Sequence, residues 1–519
     1  MRANGIWTVL LAAIALAGCG TNPVTGKREL QLVTADQEVK IGEEQYFAAQ
    51  QMQGGEVVTD PKLTQYVQSV GQKLAGASDR ELPYEFVVLD NSVPNAWALP
   101  GGKIALNSGL LQELQCESEL AAVLAHEITH AAARHGAKSV ERALLMQGAM
   151  TALQIGTADE QYANLIVGGA SLAASLLTQK YGRDAERQAD EYGMEYMKRA
   201  GYDPSAAVDL QKTFVRLAEG KRPGWLEGLF ASHPPSEERV ANSIATAAKL
   251  GAGGDRGCEP YREATAGLRK LEPAYDKYDA GIEALQKKAL DTAAARAREA
   301  LALAPNQPKF HELLGDVALS RKQFQEAIGH YDRARELNPR YFKPYLASGV
   351  ANLQLDRTSD AAGQLTRSME LLPTATGAYY LGRIAHGQGN IEQAVRYYQL
   401  AASSDSDVGR ASARELVLLD LPRNPGRYVR VQPRVDQDGR VWMVVQNDAP
   451  FPIEDVVVAV VVADPSGRGA LQGPVRVGTG AGALAPGQVA QIPTQLGPIK
   501  NAQELRLVQA EVQGARVAR

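Results

Sequence analysis

The five residues HEITH at positions 126–130 restrict the fold of this chain more than any other segment. The surrounding residues predict a buried amphipathic helix, because no Gly or Pro occurs before Gly136 and apolar residues recur at helical spacing. Residues four apart lie on one helix face, so His126 and His130 can offer two imidazoles to one metal ion. Glu127, one step round the helix, is then placed to act as a general base. This is the zinc-metalloprotease signature.

A catalytic zinc ion requires a third protein ligand and an open coordination position. The segment YGRDAERQADEY at 181–192 offers candidates, because Glu186 and Asp190 are again four residues apart among good helix formers. Glu186 is a candidate third ligand, and Asp190 on the same face can accept a hydrogen bond from the free N–H of a ligand histidine. Alternatively, the charged residues of this segment form an ordinary solvated helix face.

Four blocks of sequence resemble one known family. They are LAAVLAHEITHAAARH, RDAERQADEYGMEYMKRAGYDP, SHPPSEERV at 232–240 and NAWALPGGKIALNSGLL at 95–111. In order and character these blocks are similar to the gluzincin family that includes the HtpX and CAAX-prenyl endopeptidases, over residues 30–250. The resemblance implies a zinc-dependent endopeptidase with one zinc ion per chain.

The resemblance also implies a role for individual residues. Glu186 matches the third zinc ligand of the family. His233 matches a histidine that lies over the metal, either as a transition-state stabiliser or as a displaceable extra ligand. Arg239 matches an arginine near the site. The block that lines the substrate cleft in the family corresponds here to Asn95, Ala96, Trp97, Ala98, Leu99, Gly101 and Gly102.

Two strands are predicted ahead of the HEITH helix. Residues 84–90 have strand composition, and residues 95–106 form a second strand that Pro100, Gly101 and Gly102 interrupt. An exposed strand edge beside the metal would pair with an extended peptide through main-chain hydrogen bonds. A purely structural hairpin is the alternative.

The amino-terminal residues 1–18 have the short positive start and the apolar run of a secretory signal. The sequence LAGC at 16–19 resembles the bacterial lipobox, which implies cleavage before Cys19 and acylation of its thiol. Gly20, rather than Asp, follows the cysteine, which favours a periplasmic protein anchored in the inner leaflet of the outer membrane. Residues 19–34 then form an N-terminal tether. An ordinary signal peptide with an incidental cysteine is the alternative.

Cys116 and Cys258 are the other two cysteines of the chain. In an oxidising compartment such a pair can form a disulfide. A bridge would join the start of the HEITH helix to the end of the predicted protease domain, residues 35–255. Two buried free thiols are also compatible with the sequence, because spacing alone does not bring the α-carbons within reach.

Residues 139–179 form a long apolar tract. Its last part, 161–179, carries no charge but contains Gln, Asn, Ser and Gly. A transmembrane helix needs about 20 predominantly apolar residues. A helical hairpin or mobile lid over the active site is therefore favoured over a membrane span.

The region 260–422 is predicted to be helical and repetitive. Pro305, Pro339 and Pro373 are spaced by 34 residues, and each closes a similar apolar motif. A helix–turn–helix period of 34 residues is typical of tetratricopeptide repeats. Such repeats stack and present a concave surface suited to peptides or partner proteins, although a structural spacer is the alternative.

The C-terminal region 425–519 is predicted to be a small β-sandwich. It contains five short β-branched runs separated by Gly, Pro, Asp and Asn. The runs are VRVQPRV, VWMVVQN, VVVAVVVA, VAQIPTQL and LRLVQAEV. This region is either a docking module or a cap on the repeats.

The predicted architecture is multidomain: a mainly α, zincin-type protease domain with a small edge sheet, an α-solenoid and a C-terminal β-sandwich. It resembles periplasmic proteases that carry tetratricopeptide repeats and act at the outer-membrane β-barrel assembly machinery. The expected substrates are unfolded or misassembled proteins. The repeats would contact the assembly machinery, and the anchor would contact the membrane. A chaperone or assembly adaptor with latent proteolysis is the alternative function. The formal charge of −4 predicts no nucleic-acid partner.

Overall fold

The computed structural model describes residues 19–151, 169–219, 233–251, 253–464, 470–480 and 482–518. The signal peptide predicted for residues 1–18 lies outside this range. The chain divides into two compact units. The first contains the described residues up to Arg357 together with Glu370–Pro373, and the second contains Thr358–Met369 and the residues from Thr374 onward. The multidomain fold class is confirmed, whereas the predicted boundaries between domains stay predictions.

The protease-like part of the first unit is mainly helical. Its helices are α1 (Ala35–Met52), α2 (Pro61–Ala75), α3 (Ser108–Glu113), α4 (Glu117–Ala132), α5 (His135–Thr151), α6 (Gly169–Leu177), α7 (Arg183–Arg199), α8 (Ser205–Glu219), α9 (Glu237–Leu250) and α10 (Cys258–Ala264). Its strands are β1 (Cys19–Thr21), β2 (Arg28–Leu30), β3 (Glu85–Leu89), β4 (Ala96–Leu99) and β5 (Lys103–Asn107). The helix α4 carries HEITH through the centre of the core, where Leu120, Leu124 and Ile128 are fully buried.

The helices α4 and α7 approach each other closely at Gly193. A Cβ atom at this position would lie 3.1 Å from the backbone nitrogen of His126. A side chain would therefore push the two helices apart, and glycine is the residue that permits the contact. Because Glu186 and Asp190 lie on α7, two turns and one turn before Gly193, this packing brings both carboxylates to the histidine face of α4.

The strands β3, β5 and β4 form a sheet in that order, with β3 parallel and β4 antiparallel to β5. The turn between β4 and β5 uses Gly101 and Gly102, whose φ angles are 77° and 84°. The strand predicted at 84–90 corresponds to β3, and the interrupted strand predicted at 95–106 corresponds to β4 and β5 with the Pro-Gly-Gly turn between them.

The strand β4 lies at one edge of this sheet, and the pairing of a peptide with that edge stays a prediction. All four residues of β4 are buried. On one face, Trp97 and Leu99 pack in one cluster with Ala173 of α6 and with Tyr46 of α1.

The predicted lid, residues 139–179, is described in part. The structure places α5 and α6 at its two ends, and residues 152–168 lie outside the described range. Gln179 donates a hydrogen bond to Ser139, which joins the two ends. Among the described residues, no helix combines the length and the apolar character that crossing a lipid bilayer would need.

The segment predicted as an N-terminal tether is folded onto the protease core. β1 pairs with β2, and Asn22 in the turn between them is fully buried. Asn22 Nδ2 donates to the carbonyl of Ala133 at the end of α4 over 3.0 Å, and its Oδ1 accepts from the amides of Val24 and Thr25. Glu141 accepts hydrogen bonds from the amides of residues 32 and 33 in the same way. The segment therefore contacts the end of the HEITH helix directly.

Replacing Asn22 by Ala should release this segment. The exposed Lys27 and Arg28 offer trypsin two cleavage sites that become accessible when the turn opens. Loss of the buried hydrogen bonds should cost at least about 1.4 kcal/mol, which is a tenfold increase in the open population and in the cleavage rate. Thr25→Ala, at a half-buried position in the same turn, is the control. Equal cleavage rates for the two variants would mean that Asn22 does not hold the segment.

The repeats in the first unit form stacked helix pairs. Their helices are α11 (Ala266–Gln286), α12 (Leu290–Leu303), α13 (Pro308–Ser320), α14 (Phe324–Leu337) and α15 (Phe342–Gln354). Gly315 faces Tyr331, and an added Cβ would lie 2.5 Å from the tyrosine ring. The small residue thus lets α13 and α14 cross. The array is fixed to the protease core, because Gln51 of α1 bonds both the carbonyl of Arg340 and the amide of Phe342 over 2.9 Å.

The second unit combines helices with two β-sheets. Its helices are α16 (Thr358–Leu371), α17 (Ala375–Gly387), α18 (Ile391–Ala402), α19 (Asp407–Asp420) and α20 (Ala502–Leu505). Its strands are β6 (Val429–Val435), β7 (Val441–Asn447), β8 (Ile453–Ala463), β9 (Ala470–Gly478), β10 (Val489–Pro493) and β11 (Val508–Val517).

The sheets β10-β7-β6 and β11-β8-β9 share one core, which agrees with a β-sandwich. Val417 and Leu421, at the end of the helical repeats, belong to the same core, so the β region packs directly on α19. The sequence prediction missed β9, because Gly473 and Pro474 interrupt its β-branched pattern.

A disulfide joins Cys116 and Cys258. The neighbouring backbone is also paired, since the amides of Glu117 and Ser118 donate to the carbonyls of Gly257 and Arg256. Of the two alternatives left open by the sequence, the structure contains the bridge. It ties the first turn of α4 to the start of α10.

Candidate metal centre

Three elements supply the polar side chains of the candidate site. The helix α4 presents His126, Glu127 and His130, and α7 presents Glu186. His233 lies just before α9, which begins at the N-cap Ser236. His126, His130, Glu186 and His233 each offer one ligand atom, and these four atoms lie within 4.8 Å of one another. The sequence prediction therefore named residues that the fold does bring together.

The spacing of these atoms fits a tetrahedral zinc ion. Ligand bonds of 2.0–2.1 Å place the donors of a tetrahedron about 3.3 Å apart. His126 Nε2 lies 3.1 Å from His130 Nε2 and 3.3 Å from His233 Nδ1. Glu186 Oε1 lies 3.3 Å from His130 Nε2 and 3.0 Å from His233 Nδ1. The donor set, three imidazoles and one carboxylate, is also one that zinc prefers.

Asp190 and Arg239 orient the candidate ligands from the side that faces away from the metal position. Asp190 Oδ1 lies 3.0 Å from His126 Nδ1, the nitrogen that faces away from the metal position. Arg239 donates to both oxygens of Asp190, over 2.8 and 2.7 Å, and its Nη1 lies 3.0 Å from Glu186 Oε2. A buried bidentate pair of this kind fixes the orientation of both partners. Burial opposes the charge of Asp190, but its hydrogen bonds to Arg239 and His126 lower its pKa below the ordinary value.

His135 supports the second histidine, and the sequence analysis did not identify it. Its Nδ1 lies 2.9 Å from His130 Nδ1, and its Nε2 lies 3.2 Å from Gln188 Oε1. Because Nε2 of His130 faces the metal position, the proton of His130 resides on Nδ1 and is donated to His135. Burial lowers the pKa of His135 to about 4, which keeps this imidazole neutral and able to accept.

The contact between His130 and His135 depends on an unusual backbone conformation. The intervening Arg134 has a φ of 64°, a value that side chains rarely adopt. It allows His135 to start a new helix while turning back towards His130. Helical spacing alone does not predict such a contact. The sequence did contain one signal, which is a third histidine five residues after His130 in a chain with only seven histidines.

Tyr181 was also missed as a site residue. Its ring stacks on His130 with centroids 4.0 Å apart. Burial raises the pKa of Tyr181 well above the ordinary value, so this phenol stays neutral beside the carboxylates. Together with His135, Tyr181 restricts the ring of His130 to one orientation.

Glu127 is buried and only partly paired. Its Oε1 lies 3.5 Å from His233 Nε2, and its Oε2 has no hydrogen-bond partner among the described residues. Burial raises its pKa above the ordinary value. Burial also opposes the charge of His233, but Glu186 and Glu127 raise the pKa of that imidazole overall. An unpaired buried carboxylate next to a candidate metal position has the chemistry of a general base.

The residues predicted to bind substrate lie close to His130. Ala98 and Leu99 of β4 are adjacent to His130 and Ala131. Asn95 Oδ1 and Trp97 Nε1 are buried and have no hydrogen-bond partner among the described residues. The strand is therefore near the candidate metal centre, and it packs against α6 as described above.

Comparison with known proteins agrees with this geometry. The model of peptidase family M48 matches residues 61–246, and a tetratricopeptide-repeat model matches residues 278–341. The beta-barrel assembly-enhancing protease of Escherichia coli (strain K12) is 27% identical over 383 residues, which are 67% of this chain and 76% of that protein.

Two further relatives match shorter parts of the chain. A putative beta-barrel assembly-enhancing protease of Vibrio cholerae is 34% identical over 220 residues, 41% of this chain and 44% of that protein. The mitochondrial metalloendopeptidase OMA1 of Schizosaccharomyces pombe is 29% identical over 222 residues, 42% of this chain and 63% of that protein.

The chain is therefore a zinc metalloendopeptidase that combines a peptidase family M48 domain with tetratricopeptide repeats. Within that class it is homologous to the beta-barrel assembly-enhancing proteases. The enzyme class and the zinc cofactor predicted from the sequence are confirmed.

Replacing His135 by Ala should weaken zinc binding by about 10- to 100-fold, the usual effect of losing a partner of a ligand histidine. The Nδ1 proton of His130 would lose its acceptor, and its ring would lose a fixed orientation. His135→Asn, which offers an oxygen near the former Nδ1, should retain most of the affinity. Competition with a chelator measures the zinc dissociation constant. An unchanged zinc dissociation constant in His135→Ala would mean that His135 does not stabilise the zinc site.

Proposed function

We propose that His126, His130 and Glu186 hold the catalytic zinc ion of a periplasmic endopeptidase that degrades misassembled outer-membrane proteins. The mutual distances of the four donor atoms are the observation that carries the metal assignment, because they match a tetrahedron of zinc ligands. A zinc ion bound there supplies Lewis-acid polarisation of the scissile carbonyl and lowers the pKa of the attacking water.

Glu127 is the general base in this proposal. It lies next to His126 on α4, and its Oε2 has no partner among the described residues. The carboxylate takes a proton from the attacking water and passes it to the leaving amine. Burial among apolar side chains raises the pKa of Glu127. A base with a raised pKa binds the transferred proton more strongly, and activity is then lost as the pH falls through this pKa.

His233 closes the site at rest. Its Nδ1 lies 3.0 Å from Glu186 Oε1 and 3.3 Å from His126 Nε2, so it would be the fourth ligand of a zinc ion held there. A catalytic zinc site needs that position for water or substrate. His233 must therefore move before cleavage, and it can then donate to the developing oxyanion from nearby. Both roles implied by the family resemblance are compatible with this sequence of events.

Glu127→Gln should bind one zinc ion per chain and lose proteolysis by a factor of about 100 or more. The amide keeps the shape of the side chain but cannot take a proton. The assay is casein cleavage by the mature protein after Cys19, with the zinc content of the same sample measured by mass spectrometry. His126→Ala is the companion variant and should lose the metal as well. Full activity of Glu127→Gln would refute the assignment of the base.

If closure of the site is the main role of His233 and is favoured by about 1.4 kcal/mol at rest, His233→Ala should cleave casein about tenfold faster than the wild type. Glu237→Gln, at an exposed position a few residues away, is the control. A decrease of about 100-fold would mean instead that the main role of His233 is to stabilise the oxyanion.

The proposed cellular location and partners rest on other parts of the chain. The LAGC sequence at 16–19 supports acylation of Cys19 and attachment to the inner leaflet of the outer membrane. The relatives named for enhancing β-barrel assembly support outer-membrane proteins as substrates. The repeats are then the surface that meets the assembly machinery.

The closed metal site favours a second candidate function. With His233 in the fourth position, the resting protein has no open coordination site, so proteolysis is latent until a signal opens it. The repeats and the β region would then act as an assembly adaptor. Expression of Glu127→Gln in cells that lack the protein separates the two functions: full rescue supports the adaptor, and no rescue supports the protease.

A further inference from the structure

A pocket extends from the candidate metal centre between α4, α7, α8 and α9. Its walls are apolar and include Val123, Met194, Met197, Leu210 and Phe214. His126 and Glu127 also line it. The space free at rest is about 30 Å³, which is room for one or two water molecules. The methionine side chains are flexible, so the pocket can widen around an entering group.

Two polar atoms of residues that line the pocket have no partners in the described part of the chain. Gln211 and Ser243 are 4% and 2% exposed, and neither Gln211 Oε1 nor Ser243 Oγ has a hydrogen-bond partner among the described residues. The orientation of the Gln211 amide is fixed, because its Nε2 donates to the carboxylate of Asp190 over 3.3 Å. Its oxygen therefore faces elsewhere. Two unpaired acceptors in an apolar pocket are costly unless a ligand supplies a donor.

The charges around the pocket restrict the kind of donor. Asp190 already accepts from Arg239, Gln211 and His126, so its carboxylate is not available to pair with a cation. Glu127, the other carboxylate that lines the pocket, is assigned to the attacking water in the proposed mechanism. The guanidinium of Arg239 also lines the pocket and would repel an entering Lys or Arg side chain. A neutral donor at the end of an apolar body fits best, and the tyrosine side chain has this chemistry.

The mechanism indicates which substrate residue enters. Glu127 passes its proton to the leaving amine, so the residue that contributes this amine lies next to Glu127. Glu127 and His126 line the pocket, whereas Ala98 and Leu99 of β4 lie beside His130. The side chain directly after the scissile bond is therefore the one that faces the pocket.

We infer that Gln211 and Ser243 make this pocket select tyrosine in the position directly after the scissile bond. The phenol ring lies against Met194, Met197 and Phe214, and its hydroxyl donates to Gln211 Oε1 or Ser243 Oγ. Phenylalanine fills the same space but leaves both acceptors unpaired. The inference rests on the proposed peptidase function, which it extends to a substrate preference.

The first test compares peptides that differ only in Tyr or Phe after the cleaved bond. The wild type should cleave the Tyr peptide with a kcat/KM at least about tenfold higher, since sites built to bind a hydroxyl discriminate against its absence. Ser243→Ala and Gln211→Met should each reduce this ratio to about threefold or less. Asn242→Ala, exposed on the same helix, is the control and should keep the ratio. Equal rates for both peptides, or a ratio unchanged in both variants, would overturn the inference.

A binding experiment keeps the inference testable if no peptide is cleaved. Tyrosine amide and phenylalanine amide, which mimic the amine product, are titrated into the zinc-loaded protein by calorimetry. Tyrosine amide should bind about tenfold more tightly, and Ser243→Ala should remove the difference. Absence of cleavage together with this difference would contradict the proposed function but support the pocket. Cleavage without any preference for tyrosine would support the function and contradict the pocket.

Discussion

The close packing of α4 and α7 is the contact on which the rest of the site depends. It requires Gly193, because any side chain there would meet the backbone at His126. Through this contact Glu186 and Asp190 reach the histidines, and Arg239 then neutralises both carboxylates in a buried setting. Removing one partner would leave the others charged and unpaired, which costs far more than the loss of a surface ion pair. The candidate ligands, the residues that orient them and the packing of the two helices therefore depend on one another.

Much of this arrangement could be predicted from local spacing. His126, His130, Glu186 and Asp190 lie at i and i+4 positions, so one helix face was enough to group them in pairs. The pairing of the two helices and the place of His233 came from resemblance to a family, because no spacing rule joins residues 47 positions apart. His135 and Tyr181 escaped prediction for another reason. Their contacts with His130 depend on the positive φ of Arg134 and on a loop before α7, and neither follows a period.

The differences between prediction and structure share a physical cause, which is burial by distant parts of the chain. The β4 strand lies at a sheet edge, but its Trp97 and Leu99 side chains are buried against Ala173 of α6. Residues 19–34 have the composition of a loose tether, but Asn22 is buried against the end of α4. Residues 19–34 therefore contact the end of the HEITH helix, and β4 lies beside the candidate metal centre. Because Cys19 precedes Asn22 by three residues, an acyl anchor would hold the metal helix close to the membrane surface.

In the proposed resting state His233 takes the fourth metal position, and the pocket beside Glu127 has little free space. X-ray absorption spectroscopy of the zinc-loaded wild type tests this proposal directly. We expect three imidazole ligands and one oxygen ligand at about 2.0–2.1 Å, and two imidazoles in His233→Ala. A wild-type spectrum with two imidazoles, unchanged in His233→Ala, would contradict the closed site.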